Sequence, residues 1–188
     1  MITIKVDSAR LTQKLGRMIN KGLTIDLSKQ INDSAGIVIK DIKEGVASGE
    51  DINEIPFEPL HPKTIEMKEK RGMPMPNAPL IGTGMMSGAL GGATGAYLKK
   101  RATVQSPVAK VSAPTKKAPY GIFHQEGAEI PVTAKSRAFL RSQNFNLLAT
   151  TTKLKIPQRE WFGISKVAQL QIMKNLNLYI SRMLRGRR

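Results

Sequence analysis

Three stretches in fixed order constrain the fold more than anything else in the chain: PLIGTG at 79–84, YGIFHQEG at 120–127 and IPQREWFG at 156–163. Each joins turn-forming glycine or proline to bulky apolar groups, which is how a chain marks the corners of a small sheet and the contacts around them. None of the three combines the residue types of a catalytic centre. They read as architecture.

Between these corners the hydrophobic periodicity predicts helices at both ends and strands in the middle. Residues 2–6 alternate β-branched and polar types, a short strand signal, and Asp7 or Ser8 caps a helix whose stripe is Leu11, Leu15, Met18 and Ile19 before Gly22 ends it. A better-marked helix follows, with Leu27, Ile31, Ala35, Val38, Ile42 and Val46 at helical spacing. The proline-punctuated stretch 50–62 sets Phe57 and Leu60 as apolar anchors, Thr64 to Arg71 forms a short helix, and Thr83 caps a helical turn through Met85, Met86, Ala89 and Leu90. Two strands are expected near 95–104 and 107–113. Residues 130–157 hold two β-prone runs around Asn144 to Asn146, closed at both ends by proline, which predicts a long hairpin leaving the body. From Ser165 onward Met173, Leu176, Ile180, Met183 and Leu184 form one stripe. Leu170 and Leu178 lie off it, so this helix is apolar on more than one side.

The expected fold is therefore α+β: a small antiparallel sheet packed with N-terminal and C-terminal helices, and a long projecting β-hairpin over about 130–157. At 188 residues the chain supports one core, since two very small domains would each be marginal on surface-to-volume grounds. One domain over 1–188 is expected, with a helical part to 50, a loop and sheet part over 51–129, the hairpin over 130–157, and a helix with a basic tail over 158–188.

Charge is split along the chain. Residues 1–80 hold 12 basic and 11 acidic side chains, whereas residues 81–188 hold 18 basic and 3 acidic, for a net charge of +16. Such one-sidedness says nothing about fold, but it predicts a positive surface with polyanionic surroundings. The candidate polyanion-facing residues are Lys99, Lys100, Arg101, Lys135, Arg137, Arg141, Lys153, Lys155 and the terminal Arg185, Arg187 and Arg188. They are spread over extended segments, and aromatic residues make up only 5%, so the pattern fits backbone contact of low sequence specificity.

Catalysis and metal binding find little support. There is no cysteine, and the two histidines, His61 and His124, are far apart in sequence, so no ligand spacing can be assembled and no cofactor is implied. The glycine series GTGMMSGALGGATG lacks the Lys-Ser/Thr pair of a phosphate loop. The uncharged stretch 72–98 is broken by Pro74, Pro76 and Pro79 and falls short of a membrane span. The start MITIKVDSAR lacks the apolar run of a signal peptide, so export by that route is not expected. A non-enzymatic protein is the reading.

The order FEPLHPKTIEMKEKRG, PLIGTGMM, YGIFHQEG, IPVTAKSRAFL, IPQREWFGIS resembles the phage virion morphogenesis or tail-completion family of Mu-like phages and prophages. The resemblance runs from about Phe57 to Ser165. Phe57 supplies the aromatic before Pro-Leu and Arg159 the arginine after Ile-Pro, while Glu160–Trp161 stands where proline and phenylalanine are more usual, and Gly91 and Gly92 also depart from the pattern. The resemblance implies a structural protein of the tail or neck. It would act in tail completion and head–tail joining as a homo-oligomeric ring, six subunits being one size, near the DNA passage. Its implied neighbours are tail-tube, tail-terminator or head-connector proteins, with non-specific contact to phage DNA and no membrane, and its implied place is the virion, after assembly in the host cytoplasm. Phe123, Trp161, Phe162, Leu170 and Leu178 are the expected subunit contacts, because buried aromatic and aliphatic anchors concentrate interface energy. The alternative is a free basic nucleic-acid-binding protein without enzymatic activity.

Overall fold

The computed structural model describes residues 26–82, 98–113 and 120–185. The expected strand over 2–6, the helix through Leu11 to Ile19, the turn from Thr83 to Leu90, and Arg187 and Arg188 lie outside the described residues. Within them the fold is α+β. The elements in order are α1 (Ser28–Ser48), α2 (Pro62–Lys70), β1 (Leu98–Lys100), β2 (Lys110–Val111), α3 (Gly121–Glu126), β3 (Ala128–Pro131), α4 (Ala134–Ser142), β4 (Lys153–Ile156) and α5 (Lys166–Arg185).

Two compact units share these elements. Among the described residues the first comprises 26–41, 98–112 and 164–185, the second 42–82, 113 and 120–163, so the boundary falls inside α1.

In the first unit α1 and α5 are tied at two levels. The Ser165 hydroxyl donates to Asp41 Oδ1 at 3.0 Å, and the Tyr179 hydroxyl donates to the Asp26 carbonyl at 3.1 Å. Residue 41 thus meets 165 while 26 meets 179, which sets the helices antiparallel. Ser165 also accepts from the Ala168 amide at 3.0 Å, the N-cap bond that satisfies one orphan donor of α5. Ala35, Val38 and Ile39 on α1, and Ala168, Ile172, Leu176 and Ile180 on α5, are buried. The α5 core stripe therefore runs through Ile172 and Ala168, whereas Met173 and Met183 are half-buried at its edge. β1 and β2 pair antiparallel, and the Asn32 side chain clamps the chain beside them, its Nδ2 donating to the Ala102 carbonyl at 3.0 Å and its Oδ1 accepting from the Ala102 amide at 2.8 Å.

In the second unit β3 and β4 pair antiparallel in continuous register, Ala128 with Ile156 through Pro131 with Lys153. The expected hairpin begins there and then gives way. Residues 134–142 are helical, because Ala134, Lys135, Arg137, Ala138, Leu140 and Arg141 are good helix formers and the N-terminus carries a full capping box, Thr133 and Ser136 each bonding the other's backbone. Asn144, expected at a hairpin turn, instead ends α4 at a φ of 60°. The Phe145 amide donates to Leu140 O and the Asn144 amide to Arg141 O, the double bond of a Schellman cap. The segment 130–157 is a short two-stranded base carrying a helix and a loop.

Loop 49–58 is a closed turn. The Asp51 carboxylate accepts from the amides of Asn53 at 2.7 Å and Ile55 at 2.9 Å, Glu50 bridges Pro56, and Glu54 takes a left-handed φ of 63°. On α2, His61 Nδ1 caps the Lys63 amide, and the buried Lys68 sends its ammonium to the carbonyls of Ala78 at 2.7 Å and Met75 at 3.3 Å. Burial pushes the Lys68 pKa down.

Candidate functional site

Two of the three stretches singled out in the sequence, 120–127 and 156–163, meet in the second unit around Arg159, together with the loop 52–58. Its amide donates to the His124 carbonyl at 2.6 Å, and its guanidinium donates through Nη2 to the Glu58 carbonyl at 2.9 Å. The Trp161 indole donates to the Gly121 carbonyl at 3.2 Å. Gln125 holds the Phe162 backbone from both sides, accepting from its amide at 3.0 Å and donating to its carbonyl at 3.1 Å. The Ile52 amide adds a bond to Glu160 O at 3.0 Å. Three stretches distant in sequence, 52–58, 121–125 and 159–162, are thereby joined, two of the bonds running backbone to backbone and four using the side chains of Arg159, Trp161 and Gln125.

Close approach sets two glycines here. A Cβ on Gly163 would lie 2.8 Å from Ile52 Cδ1, so the Ile52 side chain occupies the place of any side chain at 163. Gly127, at a φ of 73°, turns the chain from α3 into β3 where a Cβ would meet the backbone of Ile156 and Gln158 at 3.3 Å.

The electrostatics of this knot are those of a packed interior. Arg159 is only 4% exposed, and burial pushes its pKa down while the Glu58 carboxylate opposes that push. His124 also has its pKa lowered, first by burial and then by the Arg159 charge. Its Nδ1 and the Arg159 Nε are both buried without a hydrogen-bond partner. A protonated imidazole would add a second buried donor beside a guanidinium, so the neutral ring is favoured. His124 here shapes packing.

The expected contact residues separate into two groups. Trp161 is 3% exposed, so its ring is an anchor inside the subunit, and Phe162 packs edge-on against it with ring centroids 5.6 Å apart. Phe123, Leu170 and Leu178 are exposed, at 50%, 71% and 48%. Beside them the structure exposes Tyr120 and Ile122 next to Phe123, and Val167 next to Leu170. Val167 was not singled out from the sequence, although its i, i+3 spacing to Leu170 was visible there.

The expected polyanion-facing residues also divide. Arg101, Lys135, Arg141, Lys155 and Arg185 are exposed, and Lys153 is exposed but paired with Glu129 at 2.8 Å across the β3–β4 ladder. Arg137 turns inward: its guanidinium donates to the carbonyls of Leu148 at 2.8 Å and Thr151 at 2.6 Å, with a longer contact to Ala149 at 3.4 Å. It clamps the loop after α4, using the fork geometry that lets arginine gather several acceptors. The side chains of Lys99 and Lys100 lie outside the described residues.

Between α1 and α5 in the first unit lies a groove of about 340 Å³ lined by Gln30, Asp33, Ser34, Leu178, Tyr179 and Arg182 among others. Its acid, Asp33, is held by Lys29 at 2.7 Å. No helix among the described residues is long and apolar enough to cross a membrane. No family model matches the chain, and no curated protein and no solved structure matches it.

Proposed function

We propose that this chain is a structural subunit of a phage or prophage tail or neck, acting in tail completion and head–tail joining by associating with copies of itself. The observation that carries the reading is the two-sided helix α5. One side is buried through Ala168, Ile172, Leu176 and Ile180, while Val167, Leu170 and Leu178 stand exposed on the other. At about 100° per residue the two sets centre on opposite sides of the helix, with Leu178 also reaching the rim of the groove beside α1. Exposed apolar residues aligned along one rigid element mark an interaction surface more than scattered ones do. The order of the corner motifs supports the family resemblance, and the hydrogen-bonded knot around Arg159 gives two of them, 120–127 and 156–163, a shared structural reason.

Native mass spectrometry across a concentration series tests the association. Leu170→Asp with Leu178→Asp is expected to remove the higher species and leave a folded monomer. A wild-type protein that stays monomeric at every concentration would overturn self-association, and immunogold labelling that leaves purified particles bare would overturn the place in the virion.

A second reading, a nucleic-acid-binding protein, is favoured by one observation: residues 130–159 carry no acidic side chain, and Lys135, Arg141 and Lys155 are exposed. Tight binding of duplex DNA by the monomer, falling steeply with salt, would select it.

A further inference from the structure

We propose that the outer face of α5 docks on the acidic turn 50–58 of a neighbouring copy, head to tail. This rests on the self-association proposed above and names its contact.

The face sets the terms for whatever covers it. Its apolar residues Val167, Leu170 and Leu178 share that side with the exposed cations Lys174 and Arg185, and no acidic residue occurs after Glu160. Two such faces brought together would oppose cation to cation, so a symmetric pairing along α5 is disfavoured. The covering surface has to supply carboxylates and an apolar contact together.

The turn 50–58 supplies both. From Glu44 to Pro62 the chain has five acidic residues and no lysine or arginine. Glu54 and Glu58 are exposed, and between them Ile55 is an exposed apolar side chain at 58%. The turn is also rigid before any contact. Asp51 caps two of its amides, the Asp51 amide returns to the Ile55 carbonyl at 2.9 Å, and the Phe57 amide closes on Gly49 O at 2.8 Å. A surface ordered in advance loses little entropy on docking.

Exposed cations with apolar groups also occur on the arm 130–157, as Lys135 and Arg141 with Phe139 and Leu148. There the two apolar residues sit on separate pieces of chain, a helix and a loop, whereas on α5 they are aligned on one helix. The aligned face is the better match to a single projecting turn. Because the two surfaces differ, the contact is heterologous, and every copy has one of each to offer, which generates a ring where the rotation closes.

Charge reversal tests the contact in the full-length chain, with circular dichroism and thermal unfolding as checks on folding. Glu54→Lys alone and Lys174→Glu alone are each expected to weaken association at least tenfold in sedimentation velocity. The two substitutions in one chain restore it, and so does an equimolar mixture of the two single variants, which then alternate. If the wild type associates and the single variants associate equally well, the contact is wrong while self-association stands. Rescue of Glu54→Lys by reversal at Lys135 and Arg141 instead of Lys174 would move the contact to the arm and overturn it. Loss of duplex DNA binding in Lys174→Glu with association unchanged would also overturn it, in favour of a polyanion. A wild type that never associates removes the proposed function first, and this contact with it.

Discussion

His124 and Arg159 show how little a residue's type says about its task until its neighbours are known. A histidine near a glutamate in the sequence invites thoughts of proton transfer, yet this ring is half-buried, faces a guanidinium and leaves Nδ1 without a partner. Its lowered pKa has a consequence for stability. An unfolded histidine titrates near about 6.5. Between that value and the lower folded one, the unfolded chain binds more protons, so unfolding is favoured as pH falls through the window. The thermal midpoint is expected to be level above about pH 7 and to drop as pH falls below about 6.5, with a shallower drop in His124→Gln. An identical slope in that variant would show that the ring contributes nothing to the pH response. Trp161 illustrates the same limit of sequence reasoning. Bulky aromatics serve cores and interfaces alike, and its burial together with the bond to Gly121 O places this one inside.

At the scale of elements, α1 and α5 were legible because their apolar residues recur at helical spacing over long enough runs, and α2 because Gly72 and the prolines behind it mark its end. The helix α4 was not. Its apolar residues are few, threonines and a central Asn lie around it, and Asn favours the same left-handed conformation in a hairpin turn and in a helix cap. The Thr133–Ser136 capping box was the signal that separates the two. The function of Arg137 was equally hidden, since an arginine in a basic run looks solvated until its acceptors are found. Its clamp on the 148–151 carbonyls makes a local prediction. Arg137→Met is expected to cost about 1–2 kcal/mol, the scale for hydrogen bonds from a charged donor that is only partly buried. Hydrogen exchange should speed up over residues 148–152 while α1 keeps its protection. Exchange that rises equally everywhere would mean that the clamp supports the whole fold.

At the scale of the molecule, the corner motifs were visible in the sequence but the meeting of two of them, 120–127 and 156–163, was not, because the side chains of Arg159, Trp161 and Gln125 reach backbone carbonyls and amides, which leave no mark in residue type. The division of the chain was also beyond sequence reasoning, since each unit is assembled from separated segments. A consequence concerns truncation. A chain ending at Gly163 keeps α1 but loses α5, and with it the partners of Asp41 and of the Asp26 carbonyl. Such a fragment is expected to bind a hydrophobic dye and to lose solubility, because Ala35, Val38 and Ile39 lose their antiparallel neighbour. A soluble fragment with unchanged helicity and no dye binding would mean that α1 does not depend on α5.

The crowding at Gly163 reaches beyond this one sequence. With Ile52 Cδ1 2.8 Å from where a side chain would begin, a methyl gained at 163 requires the Ile52 side chain to shift or to be shortened. In any lineage descended from this chain a residue larger than glycine at 163 is expected to follow a smaller residue at 52.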